Sequence, residues 1–126
     1  MRRAAVVAAI LASLPGLAGA TDVRIRNDSR STLTSVVVGG KKYGDLRPGE
    51  VSAYQTWQRA YRYTRVSLIA DGKVQELTPF DYVGEAFLCS GQMTYVLSSK
   101  AGKLALRAEV DSKPPVHWAL DETHCR

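Results

Sequence analysis

Short runs in which apolar and polar residues alternate dominate the chain after residue 20, and they predict β-strands. Val23 and Ile25 alternate with two arginines. A period of two puts one set of side chains on each face of a strand, so this segment is predicted to be half buried. A second strand is predicted over residues 32–38, and the Gly39-Gly40-Lys41-Lys42 run is expected to end it.

Turn sequences divide the next part of the chain into further strands. Arg47-Pro48-Gly49 is typical of a turn, and it leads into a third predicted strand over residues 51–55. Asp71-Gly72 lies between two strand-like runs and favours a two-residue hairpin turn, because both residues must adopt positive φ. This loop length sets the register of the hairpin, with Val66 opposite Leu77.

Two alternating segments near the C-terminus predict a second hairpin. Residues 92–98 and 104–111 both alternate in this way, and Lys100-Ala101-Gly102 separates them. Pro114-Pro115 is expected to end regular structure, and a helical turn is predicted at residues 118–122.

About seven short strands and no long amphipathic helix predict an all-β fold. The spacing of the turns favours a seven-stranded antiparallel sandwich of the immunoglobulin-like or transthyretin-like type, and a small β-barrel is the alternative. The length of 126 residues indicates one domain.

The first twenty residues predict a signal peptide. Met1-Arg2-Arg3 precedes an apolar run over residues 4–14, and small residues favour cleavage between Ala20 and Thr21. The apolar run is shorter than the ~20 residues that a membrane span needs, so no integral span is expected after processing. The protein is therefore predicted to be periplasmic or secreted. The expected parts are a signal peptide over 1–20, a β-sandwich over 21–113 and a C-terminal tail over 114–126.

The charge of the chain is modest once the leader is set aside. The whole chain has 17 basic and 12 acidic residues, a formal +5, and loss of Arg2 and Arg3 leaves +3 on 106 residues. This weak excess in an exported protein argues against nucleic-acid binding. The sequence also lacks a Gly-x-Ser-x-Gly motif, a phosphate loop and a dinucleotide fingerprint. No cofactor is expected, and an enzyme is the less favoured class.

Cys89 and Cys125 are the only two cysteines. In an exported protein they most simply form one disulfide, which would fasten the tail to the position just before the strand near residue 92. Closing a loop of this size stabilises a fold by about 4 kcal/mol. A free thiol or a metal ligand is the alternative.

Residues 54–65, which we call the aromatic–arginine segment, have the most unusual composition. The aromatic and arginine residues are Tyr54, Trp57, Arg59, Tyr61, Arg62, Tyr63 and Arg65. Aromatic faces stack on sugar rings, guanidinium groups bind carboxylates and phosphates, and both are common at protein interfaces. The segment is therefore a candidate surface for a glycan, an anionic ligand or an envelope protein. The alternative is a crossover between two sheets, with aromatics in the sandwich edge and arginine stems over them.

Two smaller polar groups are weaker candidates. Asp81 and Glu85 lie four apart in a predicted loop, where two carboxylates perform acid–base chemistry if their pKa values differ, and a turn or ion-pair role is the alternative. His117 and His124 are metal-ligand types, but their spacing of seven does not by itself indicate a metal site.

Several short motifs occur between residues 43 and 97. They are Tyr43-Gly44-Asp45-Leu46, Gly49-Glu50 with Ser52 and Tyr54, Ala60-Tyr61-Arg62-Tyr63, Asp81-Tyr82-Val83-Gly84-Glu85, and Gly91 with Thr94-Tyr95. They resemble a family of small exported bacterial β-sandwich proteins of unknown function. The resemblance implies an exported β domain and supplies no activity.

The sequence as a whole predicts an exported, non-catalytic binding or cell-envelope accessory domain that acts through the aromatic–arginine segment. A small periplasmic hydrolase or metal-binding protein that uses the tail histidines, or Asp81 with Glu85, is the alternative.

Overall fold

The computed structural model describes residues 20–78, 85–113 and 118–125. Within these ranges the chain forms eleven β-strands and one 3-10 helix at Glu122–Cys125. The strands are β1 (Thr21–Asn27), β2 (Leu33–Val38), β3 (Lys41–Leu46), β4 (Gln55–Trp57), β5 (Ala60–Tyr61), β6 (Val66–Ala70), β7 (Lys73–Leu77), β8 (Phe87–Leu88), β9 (Gly91–Lys100), β10 (Lys103–Val110) and β11 (Trp118–Ala119).

The strands form two four-stranded sheets and one small sheet. The first sheet has the order β10-β9-β1-β4, the second has the order β3-β2-β6-β7, and the small sheet has the order β11-β8-β5. The inward side chains of the two larger sheets form one apolar core. The predicted all-β sandwich is therefore confirmed, and the described strands do not close into a barrel.

The hairpin predicted at Asp71-Gly72 is confirmed in its turn and in its register. Asp71 and Gly72 have φ values of 52° and 75°, as a two-residue turn between twisted strands requires. Val66 lies opposite Leu77, and the pairing continues to the turn without a shift. The β9–β10 hairpin is likewise confirmed.

The number of strands exceeds the prediction because one strand was missed and others are very short. Gly39-Gly40 ends β2 at Val38 as predicted, but a new strand begins at Lys41. Both glycines have positive φ, at 58° and 79°, so they turn the chain directly into β3, which pairs with β2. The third predicted strand, over residues 51–55, is also displaced: Val51 forms only an isolated bridge with Arg26, and the strand itself is β4.

One strand pair departs from the predicted antiparallel arrangement. β1 runs parallel to β9, with Val23 beside Met93 and Ile25 beside Tyr95. The other neighbour of β1 is β4, which is antiparallel. Alternation along a strand reports which face is buried, and it carries no information about the direction of the neighbouring strand.

Four turns lie together at one end of the sandwich, which we call the turn end. They connect β1 to β2, β3 to β4, β6 to β7 and β9 to β10. The opposite end carries the small sheet and the C-terminal residues 118–125, and we call it the tail end.

Asn27 holds two of these turns together from a fully buried position. Its side-chain amide nitrogen donates hydrogen bonds to the carbonyl oxygens of Ser31, at 2.8 Å, and Leu46, at 2.9 Å. Its side-chain oxygen accepts from the backbone N–H and the hydroxyl of Ser29. Both polar groups of the amide are therefore satisfied, as burial demands.

We expect Asn27→Ala to lower the free energy of unfolding by about 3 kcal/mol, because it leaves the carbonyl at the end of β3 and an N–H of the β1–β2 turn without the side-chain partner. Urea unfolding measures the change. Ser29→Ala, which removes only a hydroxyl, is the control, and we expect it to cost about 1 kcal/mol. Equal effects of the two substitutions would contradict the role given to the amide.

Candidate functional site

The tail end is built from the small sheet and the predicted disulfide, which is confirmed. Cys89 is bonded to Cys125, with the Cα atoms 5.4 Å apart. Cys89 lies between β8 and β9, so the bond fastens the 3-10 helix to the start of the longest strand. The helical turn predicted at residues 118–122 is wrong in position. Trp118 and Ala119 instead form β11, which pairs with β8.

Trp57, one of the predicted binding residues, lies in the core. Its side chain is only 5% exposed, and its ring centroid lies 5.6 Å from that of Tyr95. The indole N–H donates to the Tyr43 hydroxyl at 2.8 Å, and that hydroxyl donates to the carbonyl of Val23 at 2.9 Å. The indole is thus enclosed on its apolar face and satisfied at its polar atom, which removes it from a binding surface.

Gly39 lies directly against the Trp57 ring, and this contact explains why a glycine occupies the position. A Cβ atom at Gly39 would lie 2.4 Å from the ring atom Cη2 of Trp57. The φ of +58° is also one that other residues rarely adopt. The β2–β3 turn therefore closes over the indole only because residue 39 has no side chain.

Tyr54 lies on the outer face of the first sheet, on the other side of that sheet from the core. Its hydroxyl donates to the carboxylate of Asp111 at 2.9 Å, and the Arg24 guanidinium lies 4.8 Å from the centre of its ring. Arg24 also donates to the Thr94 hydroxyl. Tyr54 therefore belongs to a polar network across β1, β9 and β10.

Arg59 and Tyr61 pack against the small sheet. The Arg59 guanidinium lies 4.2 Å above the centre of the Phe87 ring and forms an ion pair with Glu122 of the 3-10 helix. Tyr61 meets the same Phe87 ring edge-on, with the centroids 5.9 Å apart. These contacts hold the C-terminal helix against β5 and β8, which is the arrangement expected of a crossover with arginine stems over aromatic rings.

Arg62, Tyr63 and Arg65 form the exposed part of the aromatic–arginine segment, on the bend between β5 and β6. The Arg62 guanidinium lies 5.5 Å from the centre of the Trp118 ring, and Tyr63 is 54% exposed. Arg65 borders a surface pocket of about 400 Å³. The remaining residues that line this pocket are Val37, Gly39, Gly40, Thr64 and Ser67.

Burial governs the pKa of the two phenols beside Trp57. It raises the pKa of Tyr43 from 10.0 to about 12, and the hydrogen bond from Trp57 offsets part of this effect. Burial is also the main reason that the pKa of Tyr95 is raised. Tyr95 uses its hydroxyl to donate to the carbonyl of Tyr61. Both phenols therefore act as neutral donors that position the backbone.

The two weaker groups of candidates are only partly described. Asp81 and His117 lie outside the described residues, so the pairs that they form with Glu85 and His124 stay predictions. His124 is exposed, and its Nδ1 lies 2.7 Å from the carboxylate of Asp121. Hydrogen bonds from Thr123, and then from His124, lower the pKa of Asp121. Among the described residues, no three His, Cys, Asp or Glu side chains meet as a metal site requires.

Two aromatic residues at the tail end were not predicted to belong to the site. Phe87 and Trp118 are the surfaces on which Arg59 and Arg62 rest, yet they lie 22 or more residues away from the segment in sequence. The sequence feature that could have placed Phe87 and Trp118 at the site is the predicted disulfide. A bond between Cys89 and Cys125 brings the residues near both cysteines together.

The site therefore belongs to an all-β sandwich domain in which a disulfide and two arginine–aromatic contacts fix the C-terminal residues. The chain matches no protein-family model, and no curated protein matches it. The resemblance drawn from the short motifs between residues 43 and 97 accordingly stays a prediction. Across residues 20–78, 85–113 and 118–125, no helix has the length and apolar character that crossing a membrane requires.

Proposed function

We propose that the protein is an exported, non-catalytic binding domain of the cell envelope, and that it acts through the exposed part of the aromatic–arginine segment. The proposal includes cleavage between Ala20 and Thr21 and a periplasmic or secreted location. The Cys89–Cys125 bond supports export, because disulfides persist in oxidising compartments.

One observation carries the proposal: Arg62, Tyr63 and Arg65 stand exposed on a single bend. No carboxylate among the described residues lies within 4.0 Å of either guanidinium. Arg59, by contrast, is engaged by Glu122. The guanidinium groups of Arg62 and Arg65 therefore have no carboxylate partner among the described residues, and Tyr63 lies between them in sequence. Such a surface is of the kind that binds anionic groups on a ring-containing molecule.

The bend is held in place by contacts on both of its sides. The backbone N–H of Arg62 donates to the carbonyl of Ala86 at 3.0 Å, and the carbonyl of Arg65 accepts from the N–H of Gly39 at 2.8 Å. Thr64, between the exposed residues, is buried. Since these contacts fix the backbone before any ligand arrives, binding costs little ordering entropy.

The side chains of Arg62, Tyr63 and Arg65 are suited to bind a polymer that combines sugar rings with carboxylates. A guanidinium pairs with a carboxylate through two parallel N–H donors, and the exposed Tyr63 ring offers a flat apolar face to a sugar. The pocket beside Arg65 is lined by small side chains and has the volume for one such group. Peptidoglycan has both features and is therefore the probe of choice.

We expect the purified protein to co-sediment with lipid-free peptidoglycan, and we expect Arg62→Ala combined with Tyr63→Ala to weaken this binding about tenfold or more, the loss typical of central interface residues. Both side chains are exposed, and the Arg62 side chain contacts the Trp118 ring, so the unfolding temperature of the variant should fall by no more than a few degrees.

Arg30→Ala is the control for loss of a positive charge, since Arg30 is exposed at the turn end. It should sediment like the parent protein. Unchanged sedimentation of the double variant, or an equal loss of binding in Arg30→Ala, would contradict the proposed site. Trp57→Ala is unsuitable for this test, because the indole is part of the core.

A further inference from the structure

We propose that the turn end is a second binding surface, one that docks on a phosphate-bearing lipid bilayer. This surface is separate from the aromatic–arginine segment and does not rest on the function proposed for it. Every one of the four turns contains a basic residue or is flanked by one at the end of a strand. The five are Arg30, Arg47, Lys73, Lys100 and Lys103, and all are exposed.

These cations are not matched by nearby carboxylates. Among the described residues, no carboxylate oxygen lies within 4.0 Å of the charged side-chain nitrogens of these five residues. The turns contain three acidic residues, and Asp28 is already paired with Arg26 at 2.9 Å. That pairing also lowers the pKa of Asp28. Five cations against Glu50 and Asp71 leave an excess of +3 in these turns.

The carboxylates of Glu50 and Asp71 are both engaged in hydrogen bonds within or between the turns. The Glu50 carboxylate accepts from the backbone N–H of Arg47 at 2.8 Å, and that of Asp71 accepts from the Ser31 hydroxyl at 2.9 Å. The second contact joins the β1–β2 turn to the β6–β7 turn. The β1–β2, β3–β4 and β6–β7 turns are therefore connected to one another, and the cations that they carry do not depend on independent loops.

The β9–β10 hairpin carries the clearest sign of a binding role. Lys100 and Lys103 are directly opposite each other in the register. Like charges in this arrangement repel and destabilise a hairpin. The turn between them has φ values of 51° at Ala101 and 78° at Gly102, so it needs neither lysine for its conformation. Two lysines at this position serve an anionic partner better than they serve the fold.

The composition of the turns favours a bilayer over a protein partner. Apart from Tyr54, whose ring and hydroxyl are engaged by Arg24 and Asp111, the four turns contain no aromatic residue, leucine, isoleucine or methionine, whereas protein interfaces depend on a few large anchoring side chains. Dispersed lysines and arginines suit a membrane surface, because its phosphates are many and mobile. Each basic residue near such a surface adds about 1 kcal/mol to the binding free energy. Nucleic acid is disfavoured because the disulfide indicates an oxidising compartment.

The test is sedimentation of the oxidised protein with vesicles of phosphatidylcholine and phosphatidylglycerol, compared with vesicles of phosphatidylcholine alone. We expect binding to the anionic vesicles only, weakened by salt. Lys100→Gln combined with Lys103→Gln should reduce partitioning roughly 25-fold, from a factor of about five for each lysine. The double variant should unfold at the same or a higher temperature, since the repulsion across the hairpin is removed.

The matched control is Lys41→Gln combined with Lys42→Gln, which removes the same charge from exposed positions at the other end of the sandwich. We expect it to change partitioning by less than about twofold. Equal losses in the two double variants would overturn the proposal, because net charge alone would then explain binding. Absence of binding to anionic vesicles at low salt, or binding to polyglutamate in place of vesicles, would also overturn it. Peptidoglycan binding by the Lys100/Lys103 double variant should be unchanged, so the two proposed surfaces fail independently.

Discussion

Trp57→Ala should lower the free energy of unfolding by about 4 kcal/mol, the largest effect that we expect from a single substitution in this protein. The ring fills the space between Tyr95 and the Gly39 turn. Its removal leaves a cavity that the surrounding strands cannot close. It also leaves the Tyr43 hydroxyl without the N–H donor that it accepts from. Urea unfolding monitored by circular dichroism measures the loss.

Trp57→Phe separates the two causes. It keeps most of the ring volume and removes the indole N–H, so we expect a smaller loss, of about 2 kcal/mol. A loss below about 1 kcal/mol in Trp57→Ala would contradict the core position and would restore Trp57 as a surface residue.

Removal of the disulfide is the second change with a large expected effect. Replacement of Cys89 and Cys125 by serine should lower the free energy of unfolding by about 4 kcal/mol, because the bond constrains a loop with a sequence separation of 36 in the unfolded chain. A domain of this size has a total stability of roughly 5–15 kcal/mol. The bond is thus a large share of what keeps the protein folded.

In addition to this global loss, local opening should increase at the tail end. Without the bond, β11 and the 3-10 helix keep only the two-residue pairing with β8 and the contacts of Arg59 and Arg62. Hydrogen exchange should therefore accelerate in residues 118–125 before it does in β1 or β9. Treatment of the parent protein with reductant is the control and should give the same pattern. An increase in residues 118–125 no larger than that in β1 and β9 would contradict the local role of the bond at the tail end.

Local signals in the sequence predicted those parts of the fold that depend on neighbours in the chain. Asp71-Gly72 predicted both the turn and the register of the β6–β7 hairpin, because a two-residue loop allows only one register of the two strands. Gly39-Gly40 forms the same kind of turn, yet the two lysines that follow it in sequence do not indicate a strand. They lie on the exposed edge strand β3, where charged side chains are common.

The site was less predictable, because composition does not say which way each side chain points. The aromatic–arginine segment crosses from β4 in the first sheet to β6 in the second. Its members therefore face three environments: Trp57 lies in the core, Tyr54 on the outer sheet face, and Arg62 with Tyr63 at the tail end. A crossover rotates the chain between sheets, and no periodicity in the sequence records that rotation.

The parallel pairing of β1 with β9 has a consequence for the order in which the protein folds. Val23 lies beside Met93, seventy positions later in the chain, and β1 is an inner strand of its sheet. A chain that emerges N-terminus first therefore exposes its first strand until β9 has followed, since contacts between residues far apart in sequence form late. The first sheet therefore assembles only after residues 91–100 have been synthesised, and until then the edges of β1 are open to incorrect pairing.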